Sequence, residues 1–289
     1  MPLRALPTGV VVLTCFAAAP TGPARSDDAG GSAAPEISLP AGALPSREEF
    51  GGLLRSDPVR AFEMVLRRYK EESVRGYTCV MRKRERAGGT LGDPEEVDVA
   101  FRDDPFSVFM AWRGPVKLGK PVRTLYVRGE NQGMIRVKTR FLVLNFHPDG
   151  PESRAAARYS IEDFGFYNTT LRTLRAWKAA RDEGRLRAEY LGRRPVAECG
   201  DRVCHVIRRT CDPPEVDTFS LADRGVVDPA TRPDDAFTSV TLMFDAETWF
   251  QVGSEQRDAA DRVVGEYYFR DVKLNPSFRP DQFTPAALR

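Results

Sequence analysis

Two short helices are the first elements that the pattern of apolar and polar positions predicts. Ser46 and Glu49 have the spacing of a capping box, which indicates the start of the first helix. Asp57 followed by Pro58 provides an N-cap and a first-turn proline for the second helix. The apolar residues of this second helix recur at helical spacing and form one stripe: Phe62, Val65, Leu66 and Tyr69. We expect this stripe to pack on a large apolar surface.

Most of the remaining chain has the pattern of β-strands, with β-branched and aromatic runs separated by Gly, Pro, Asn and Asp turns. The predicted strands are 77–86, 97–102, 106–113, 123–128, 134–146, 186–190, 195–198, 203–209, 240–244, 249–256 and 263–269. One helix, 171–181, interrupts them, and 129–133 is predicted to be a hairpin loop. Because no regular βαβ alternation occurs, the pattern predicts an α+β fold with an antiparallel sheet.

The N-terminal segment predicts export. Residues 1–24 have the organisation of a signal peptide, with one basic residue, an apolar run at 9–19 that is too short to cross a bilayer, and small residues at the end. The predicted location is the periplasm or cell envelope, and the mature protein is expected to be soluble. A lipid anchor on Cys15 is disfavoured because Thr14 precedes it. Residues 25–45 are predicted to form a flexible leader, and 46–289 a single domain with a long polar loop at 212–237.

Composition excludes several classes of function. The 42% hydrophobic content indicates a folded domain, and the net charge of +2 disfavours a nucleic-acid partner. No esterase elbow, zinc-protease helix, phosphate loop or dinucleotide fingerprint occurs, so we predict a non-enzymatic protein without a cofactor or metal. The chain has two histidines, His147, predicted to lie in a turn, and His205, predicted to pack in a strand. A hydrolase that uses two carboxylates stays open, because such pairs leave no spacing signature.

Four cysteines remain after signal removal: Cys79, Cys199, Cys204 and Cys211. In an oxidising compartment they predict at least one disulfide. If all four cysteines form two disulfides, three different pairings are possible. Cys199–Cys204 is the best local candidate because Gly200-Asp201 can turn the chain between them, which would leave Cys79 to pair with Cys211. A metal site that includes His205 is the competing interpretation, but the close pair of cysteines typical of zinc sites is missing.

Two charged segments have a structural and a functional interpretation. The run 82–86 alternates in sign along a strand, which favours a solvated face over attraction of anionic lipid headgroups. Arg102, beside two aspartates, is interpreted as a solvated strand end or as the anchor of a buried ion pair.

Several segments also carry a family resemblance. The most specific is 101–112, in which Phe-Arg is followed by Pro-Phe-Ser-Val-Phe-Met and a tryptophan. Further matching segments are Tyr77-Thr78-Cys79, Lys83-x-Glu85-Arg86, 125–133, and either Ser153-Arg154 or Arg158-Tyr159-Ser160-Ile161 before Phe164-Gly165. Together they resemble the bacterial family catalogued as domain of unknown function 1571. The tail, Glu266 to Asn275 and then Asp281-x-Phe283, is similar to the closing strand of outer-membrane lipoprotein carriers.

The resemblance implies a LolA-like fold, in which a strongly curved antiparallel sheet forms an incomplete β-barrel that helices close over. In the carriers this arrangement encloses an apolar cavity. The candidate lining residues are Phe62, Leu66, Tyr69, Phe101, Phe106, Val108, Met110 and Trp112. The last four alternate along one strand and are expected to face the helix that carries the first three.

Three functions follow as alternatives. The first is a carrier or sensor that holds a lipid or an acylated protein, so lipid or lipoprotein acyl chains are predicted partners. The second is a module that binds envelope proteins and fills its core with its own side chains. The third is the carboxylate hydrolase. A large apolar cavity would support the first, a filled core the second, and convergent carboxylates in a cleft the third.

Overall fold

The predicted capping box opens the first helix. In the computed structural model the Ser46 hydroxyl accepts a hydrogen bond from the Glu49 N–H at 3.2 Å, and the Glu49 carboxylate accepts one from the Ser46 N–H at 2.7 Å. Helix α1 covers Arg47–Ser56, and α2 covers Pro58–Glu71 with Asp57 as its N-cap. Both helices therefore begin where the sequence pattern predicts.

The structure describes residue 39 and residues 42–87, 89–116, 120–216 and 233–289. The predicted signal peptide, most of the predicted leader and residues 217–232 of the predicted loop lie outside the described residues. Two more α-helices follow the first two, α3 at Pro151–Ala156 and α4 at Phe166–Asp182. None of the helices in the described ranges has the length and hydrophobicity required to cross a membrane.

The described residues form twelve antiparallel strands in one sheet. They are β1 Gly76–Ala87, β2 Thr90–Leu91, β3 Glu95–Arg102, β4 Ser107–Trp112, β5 Arg123–Val127, β6 Ile135–Lys138, β7 Val143–Phe146, β8 Arg187–Val196, β9 Arg202–Glu215, β10 Phe237–Asp245, β11 Gln251–Arg257 and β12 Val263–Leu274. The spatial order is β7-β6-β5-β4-β3-β1-β12-β11-β10-β9-β8, with β2 beside β1. Among the described strands β7 and β8 each have a neighbour on one side, so the sheet is open and the predicted fold class is confirmed.

The sheet consists of two meanders that meet at one seam. Strands β1 to β7 form one meander and β8 to β12 the other, and the seam is the antiparallel pairing of β1 with β12 from Tyr77↔Leu274 to Glu85↔Gly265. The first and last long strands of the chain are therefore neighbours.

Several boundaries differ from the sequence prediction. The predicted strand 134–146 is two strands, because the Thr139 hydroxyl donates to the Leu142 carbonyl at 3.1 Å and accepts from its N–H at 3.2 Å, which closes a hairpin turn. The predicted strands 186–190 and 195–198 are one strand, β8, and β9 continues to Glu215, four residues into the predicted loop. Helix α4 begins five residues earlier than predicted, at Phe166, whereas the predicted turn at 129–133 is confirmed.

The helices cover one half of the sheet. Side chains of α1, α2 and α4 pack with β9, β10 and Trp249 in a buried cluster, in which Phe50 stacks on Trp249 at 4.5 Å between ring centroids. Phe62 lies 4.8 Å from Trp177 of α4 and 5.2 Å from Phe244 of β10. The apolar stripe of α2 thus finds its predicted surface, mainly on the second meander.

The C-terminal segment covers part of the opposite face. Phe283, Ala287 and Leu288 pack against Phe109 of β4 and Leu125 of β5. Arg102 is neither a solvated strand end nor an ion-pair anchor. Its guanidinium lies 4.6 Å from the Phe283 ring centroid and donates to the Ser107 hydroxyl at 2.9 Å. This contact links β3 to the C-terminal segment.

The four cysteines are buried free thiols, so the predicted disulfide is not present in the structure. The neighbouring Cys204 thiol and burial raise the pKa of the Cys199 thiol. The Cys199 thiol donates to the Val252 carbonyl at 3.3 Å, and the Cys204 thiol donates to the Arg202 carbonyl at 3.5 Å. Cys79 and Cys211 lie in different buried clusters, which separates the second predicted pair.

Gly76, at the start of β1, tests the packing of the seam. A Cβ atom there would lie 2.5 Å from the Phe101 carbonyl oxygen, whereas one at Gly52 in α1 would meet nothing within 4 Å. We expect Gly76→Ala to lower the free energy of unfolding by about 1–3 kcal/mol. The control Gly52→Ala should raise it by about 0.5–1 kcal/mol through helix propensity. Urea denaturation measures both, and an unchanged Gly76→Ala midpoint would contradict the packing.

Candidate ligand site on the inner sheet face

The eight predicted lining residues fall into two groups. Phe101, Phe106, Val108 and Tyr69 lie in one buried cluster on the face of the sheet that we call the inner face, and Met110 and Trp112 pack against its edge. Phe62 and Leu66 lie in the separate cluster under the helices. Strand register places Met110 and Trp112 on the same side of the sheet as Leu242 of β10, on which the α2 stripe packs. Phe62 and Leu66 share that side with the β4 residues but pack in a different cluster. Only Tyr69, at the end of α2, reaches the inner-face cluster, because the rest of α2 lies over the second meander.

Aromatic rings fill the centre of the inner face. Tyr77 stacks on Phe101 at 4.9 Å and on Phe166 of α4 at 4.4 Å. Phe101 contacts Phe106 at 5.4 Å, and Phe166 contacts Phe250 at 5.6 Å. These centroid distances are those of packed rings. The protein's own side chains thus occupy the place where the resemblance implies a cavity.

An apolar track leads from this core to the edge of the sheet. Cross-strand pairing places Val99, Met110, Thr124, Val137 and Leu144 in one row over β3 to β7. Val99 and Thr124 are buried, Met110 and Val137 are half-buried, and Leu144, at the edge of the sheet, is 39% exposed. We call these five residues the edge row. Trp112, two residues after Met110 on the same face of β4, lies half-buried beside it.

A buried charged group borders the edge row. Lys83 pairs across strands with Tyr267 of β12 and Glu95 of β3. Its ammonium donates to Glu85 at 2.7 Å and lies 3.7 Å from Glu95. The Tyr267 hydroxyl donates to Glu85 at 2.5 Å, and the Trp112 indole N–H donates to Glu95 at 3.0 Å. We call these five residues the Lys83 cluster.

The Lys83 cluster holds its charges in the folded state. Burial opposes the charge on Lys83, but the carboxylates of Glu85 and Glu95 overcome it and raise the pKa of the ammonium above its ordinary value. Burial likewise opposes the charge on Glu85, yet Lys83 and the Tyr267 hydroxyl lower its pKa below the ordinary value. A general acid requires a raised carboxyl pKa, so Glu85 has the opposite tuning.

The segment before α4 encloses the cluster from the other side. The Tyr159 ring lies 5.5 Å from that of Tyr267, its hydroxyl accepts from the Gln256 amide at 2.8 Å, and the Arg172 guanidinium lies 3.9 Å from its centroid. The Arg158 N–H donates to Glu85 at 3.4 Å. The motifs at Lys83-x-Glu85, Trp112, Arg158-Tyr159 and Tyr267 therefore meet at one place although they are far apart in the chain.

The prediction of a solvated face at 82–86 is wrong for three of its five residues. Lys83 and Glu85 are only 14% and 12% exposed at their side chains. The Arg86 side chain is also buried and donates to Asp258 at 2.8 Å. The missed signal was the alternation of β1, in which Tyr77, Cys79 and Met81 share the inner face with Lys83 and Glu85.

The remaining predicted residues have structural positions. His147 lies in a turn, as predicted, where its Nδ1 accepts from the Asp149 N–H at 3.2 Å. His205 packs edge-on against Phe50 at 5.4 Å, and burial lowers its pKa. Since neighbouring strand residues face opposite ways, His205 and Cys204 point to different sides of β9. The competing metal interpretation needs His205 and Cys204 on the same side of the strand, and they are not.

A surface hollow of about 390 Å³ lies where α1 meets α2, away from the edge row. Its lining includes Asp57, Pro58, Arg181 and Arg187.

Lys83→Met tests the buried charges. Removal of the ammonium leaves two carboxylates unpaired, so we expect a loss of about 3–5 kcal/mol of unfolding free energy at neutral pH. Because the pKa of Glu85 is lowered by folding, its stabilising contribution is present above the ordinary glutamate pKa and is lost as the pH falls through the folded pKa. The difference in unfolding free energy between the wild type and Lys83→Met should therefore shrink in acid.

Urea titrations at several pH values measure this difference. Lys178 is exposed, so Lys178→Met provides the control. Equal losses in both variants would contradict the account.

Comparison with solved structures finds similar sheets at low sequence identity. Lipoprotein LppX from Mycobacterium tuberculosis is 13% identical with a TM-score of 0.41, over 78% of this chain and 99% of that one. A LolA superfamily protein from Nitrosomonas europaea is 12% identical with a TM-score of 0.33, over 77% and 97%. MucB in complex with MucA, from Pseudomonas aeruginosa, is 10% identical with a TM-score of 0.40, over 78% of this chain and 60% of that one.

Comparison with curated proteins gives no match. The model of one family, described as a protein of unknown function (DUF1571), matches residues 74–288. This range contains the whole sheet and every residue of the edge row and the Lys83 cluster. The chain therefore belongs to the DUF1571 family.

Proposed function

We propose that this protein is a non-enzymatic protein of the bacterial envelope that binds a lipid, or the acyl chain of an acylated protein, along the edge row. The observation that supports this is the row itself, which is apolar except for Thr124 and leads along the inner face from buried Val99 to exposed Leu144. Helices α1 and α2 and most of the buried face of α4 pack over the other half of the sheet. At the outer end of the row, Leu144 is exposed and Val137 is half-buried.

The size of the row suits an acyl chain. It crosses five neighbouring strands, and at about 4.8 Å per strand spacing it is roughly 19 Å long. Each methylene removed from water contributes about 0.8 kcal/mol, so a long saturated chain gains enough from such a track to bind. Met110 is an adaptable contact for a ligand of variable shape because its side chain is flexible.

The deep apolar core is a poor place for the same ligand. To enter it, an acyl chain would have to displace the stacked rings of Tyr77, Phe101 and Phe166. Such packed aromatic side chains each contribute several kcal/mol to stability, which the ligand would have to replace. Of the eight predicted lining residues, Met110 and Trp112 therefore remain the proposed ligand contacts, and the other six are proposed to support the site.

A second function is favoured by the same filled core. A module that binds envelope proteins through its surface requires no internal cavity, and stacked rings fill the core of this sheet. Export to the periplasm or envelope is proposed for both functions on the pattern of residues 1–24.

Trp112 provides the test for acyl binding. Trp177 and Trp249 are fully buried, so a change in tryptophan emission on addition of a fatty acid would report on half-buried Trp112. We expect a saturable change in the wild type and at least about tenfold weaker binding in Val137→Asp, which places a charge in the row.

The control is Val203→Asp, an exposed apolar position on β9 outside the row. It should bind as the wild type does. Native mass spectrometry of protein purified from its own envelope should show a co-purifying lipid. An absence of lipid together with an unchanged Trp112 signal would contradict acyl binding and favour the module with a filled core.

A further inference from the structure

The turn between β6 and β7 exposes an unusual run of large apolar side chains. Phe141, Leu142 and Val143 are 68%, 60% and 47% exposed. Phe141 and Leu142 lie in the turn itself, and Val143 is the first residue of β7. We call residues 138–143 the hairpin tip. Val116, in the β4–β5 connection at the same end of the sheet, is 50% exposed.

The sequence around the hairpin tip is strongly basic. Residues 113–147 contain eight Lys and Arg residues and one acidic residue, Glu130, although the whole chain has a net charge of only +2. Lys138 and Arg140 flank the apolar run, and the Arg140 guanidinium lies 5.1 Å from the Phe141 ring centroid.

Three of these cations have partners within the described protein. Arg113 forms an ion pair with Asp98 at 2.6 Å, Arg123 donates to the Ala287 carbonyl at 3.2 Å, and the Arg128 guanidinium lies 4.5 Å from the Phe106 ring centroid. Lys138 and Arg140 lie in a stretch, 131–148, that contains no acidic residue. The tip therefore combines protruding apolar side chains with positive charge, which is the composition that attracts anionic membranes.

We propose that the hairpin tip docks this protein on the surface of an anionic lipid bilayer. Phe141 and Leu142 enter the headgroup region, while Lys138 and Arg140 contact lipid phosphates. Leu144, the exposed end of the edge row, follows the tip directly, so docking places the open end of the row next to the membrane.

Strand addition to the edge of β7 is the alternative use of this region. It would bury alternate side chains and the backbone of a strand. The observed apolar run instead lies mostly in the turn, and β7 itself has only four residues, Val143–Phe146. A second copy of the chain would also bring two basic tips together, which charge repulsion opposes. The bilayer is therefore the occupant that best fits the tip.

Vesicle sedimentation tests the docking. The full chain should bind vesicles of phosphatidylcholine with phosphatidylglycerol, and binding should weaken in high salt and with phosphatidylcholine alone. The double variant F141S/L142S removes two apolar side chains and should bind at least about tenfold more weakly. K138E/R140E should lose the preference for phosphatidylglycerol.

Two matched controls keep the surface chemistry constant. Val203→Ser removes an exposed apolar side chain elsewhere, and K178E/R194E reverses two exposed charges outside the tip. Both should bind vesicles as the wild type does, and circular dichroism should show all variants folded.

The proposal would be overturned if F141S/L142S bound anionic vesicles as strongly as the wild type, or if the wild type did not bind them at all. It would also be overturned if the wild type formed a dimer in the absence of lipid and F141S/L142S did not. The tip variants leave the edge row intact, so they should still bind fatty acid in solution. A failure of docking is therefore distinguishable from a failure of the proposed acyl binding.

Discussion

The antiparallel pairing of β1 with β12 is the interaction on which the rest of the structure depends. It joins the first long strand to the last one and so converts two meanders into a single sheet. Gly76 lies at one end of this seam, close to the Phe101 carbonyl, and Lys83 and Glu85 lie at the other. Contacts between residues so distant in the chain close a large loop, which has an entropic cost that packing must offset.

The seam also determines where the sheet is covered and where it is not. With the helices over the second meander, the inner face beside the seam is filled by Tyr77, Phe101 and Phe166, whereas the edge at β6 and β7 retains apolar surface. An open sheet must protect its edge strands from pairing with other chains, and here the edge strand β7 is only four residues long. The same edge carries the outer end of the edge row and the hairpin tip, the two surfaces that we propose contact lipid.

The sequence predicts much of this architecture because its signals are local. Capping at Ser46, the α2 stripe and the alternation of β4 each depend on a few neighbouring residues, and the structure confirms them. The site was harder to predict. The burial of Lys83 depends on Glu95 and Tyr267, which reach it only through strand register, and charged residues are on average exposed. The division of Phe62 and Leu66 from the β4 residues depends on where α2 crosses the sheet, which its periodicity does not specify.

The central claim is that an acyl ligand lies along the edge row and outside the ring-filled core. Photolabelling of the purified protein with a fatty acid that carries a diazirine, followed by peptide mass spectrometry, locates the bound chain directly. The account predicts adducts on β4 to β7, at Met110, Val137 or Leu144 and at neighbouring Trp112. Adducts confined to Phe101, Phe166 or Phe250 in the core, or no saturable labelling, would contradict it.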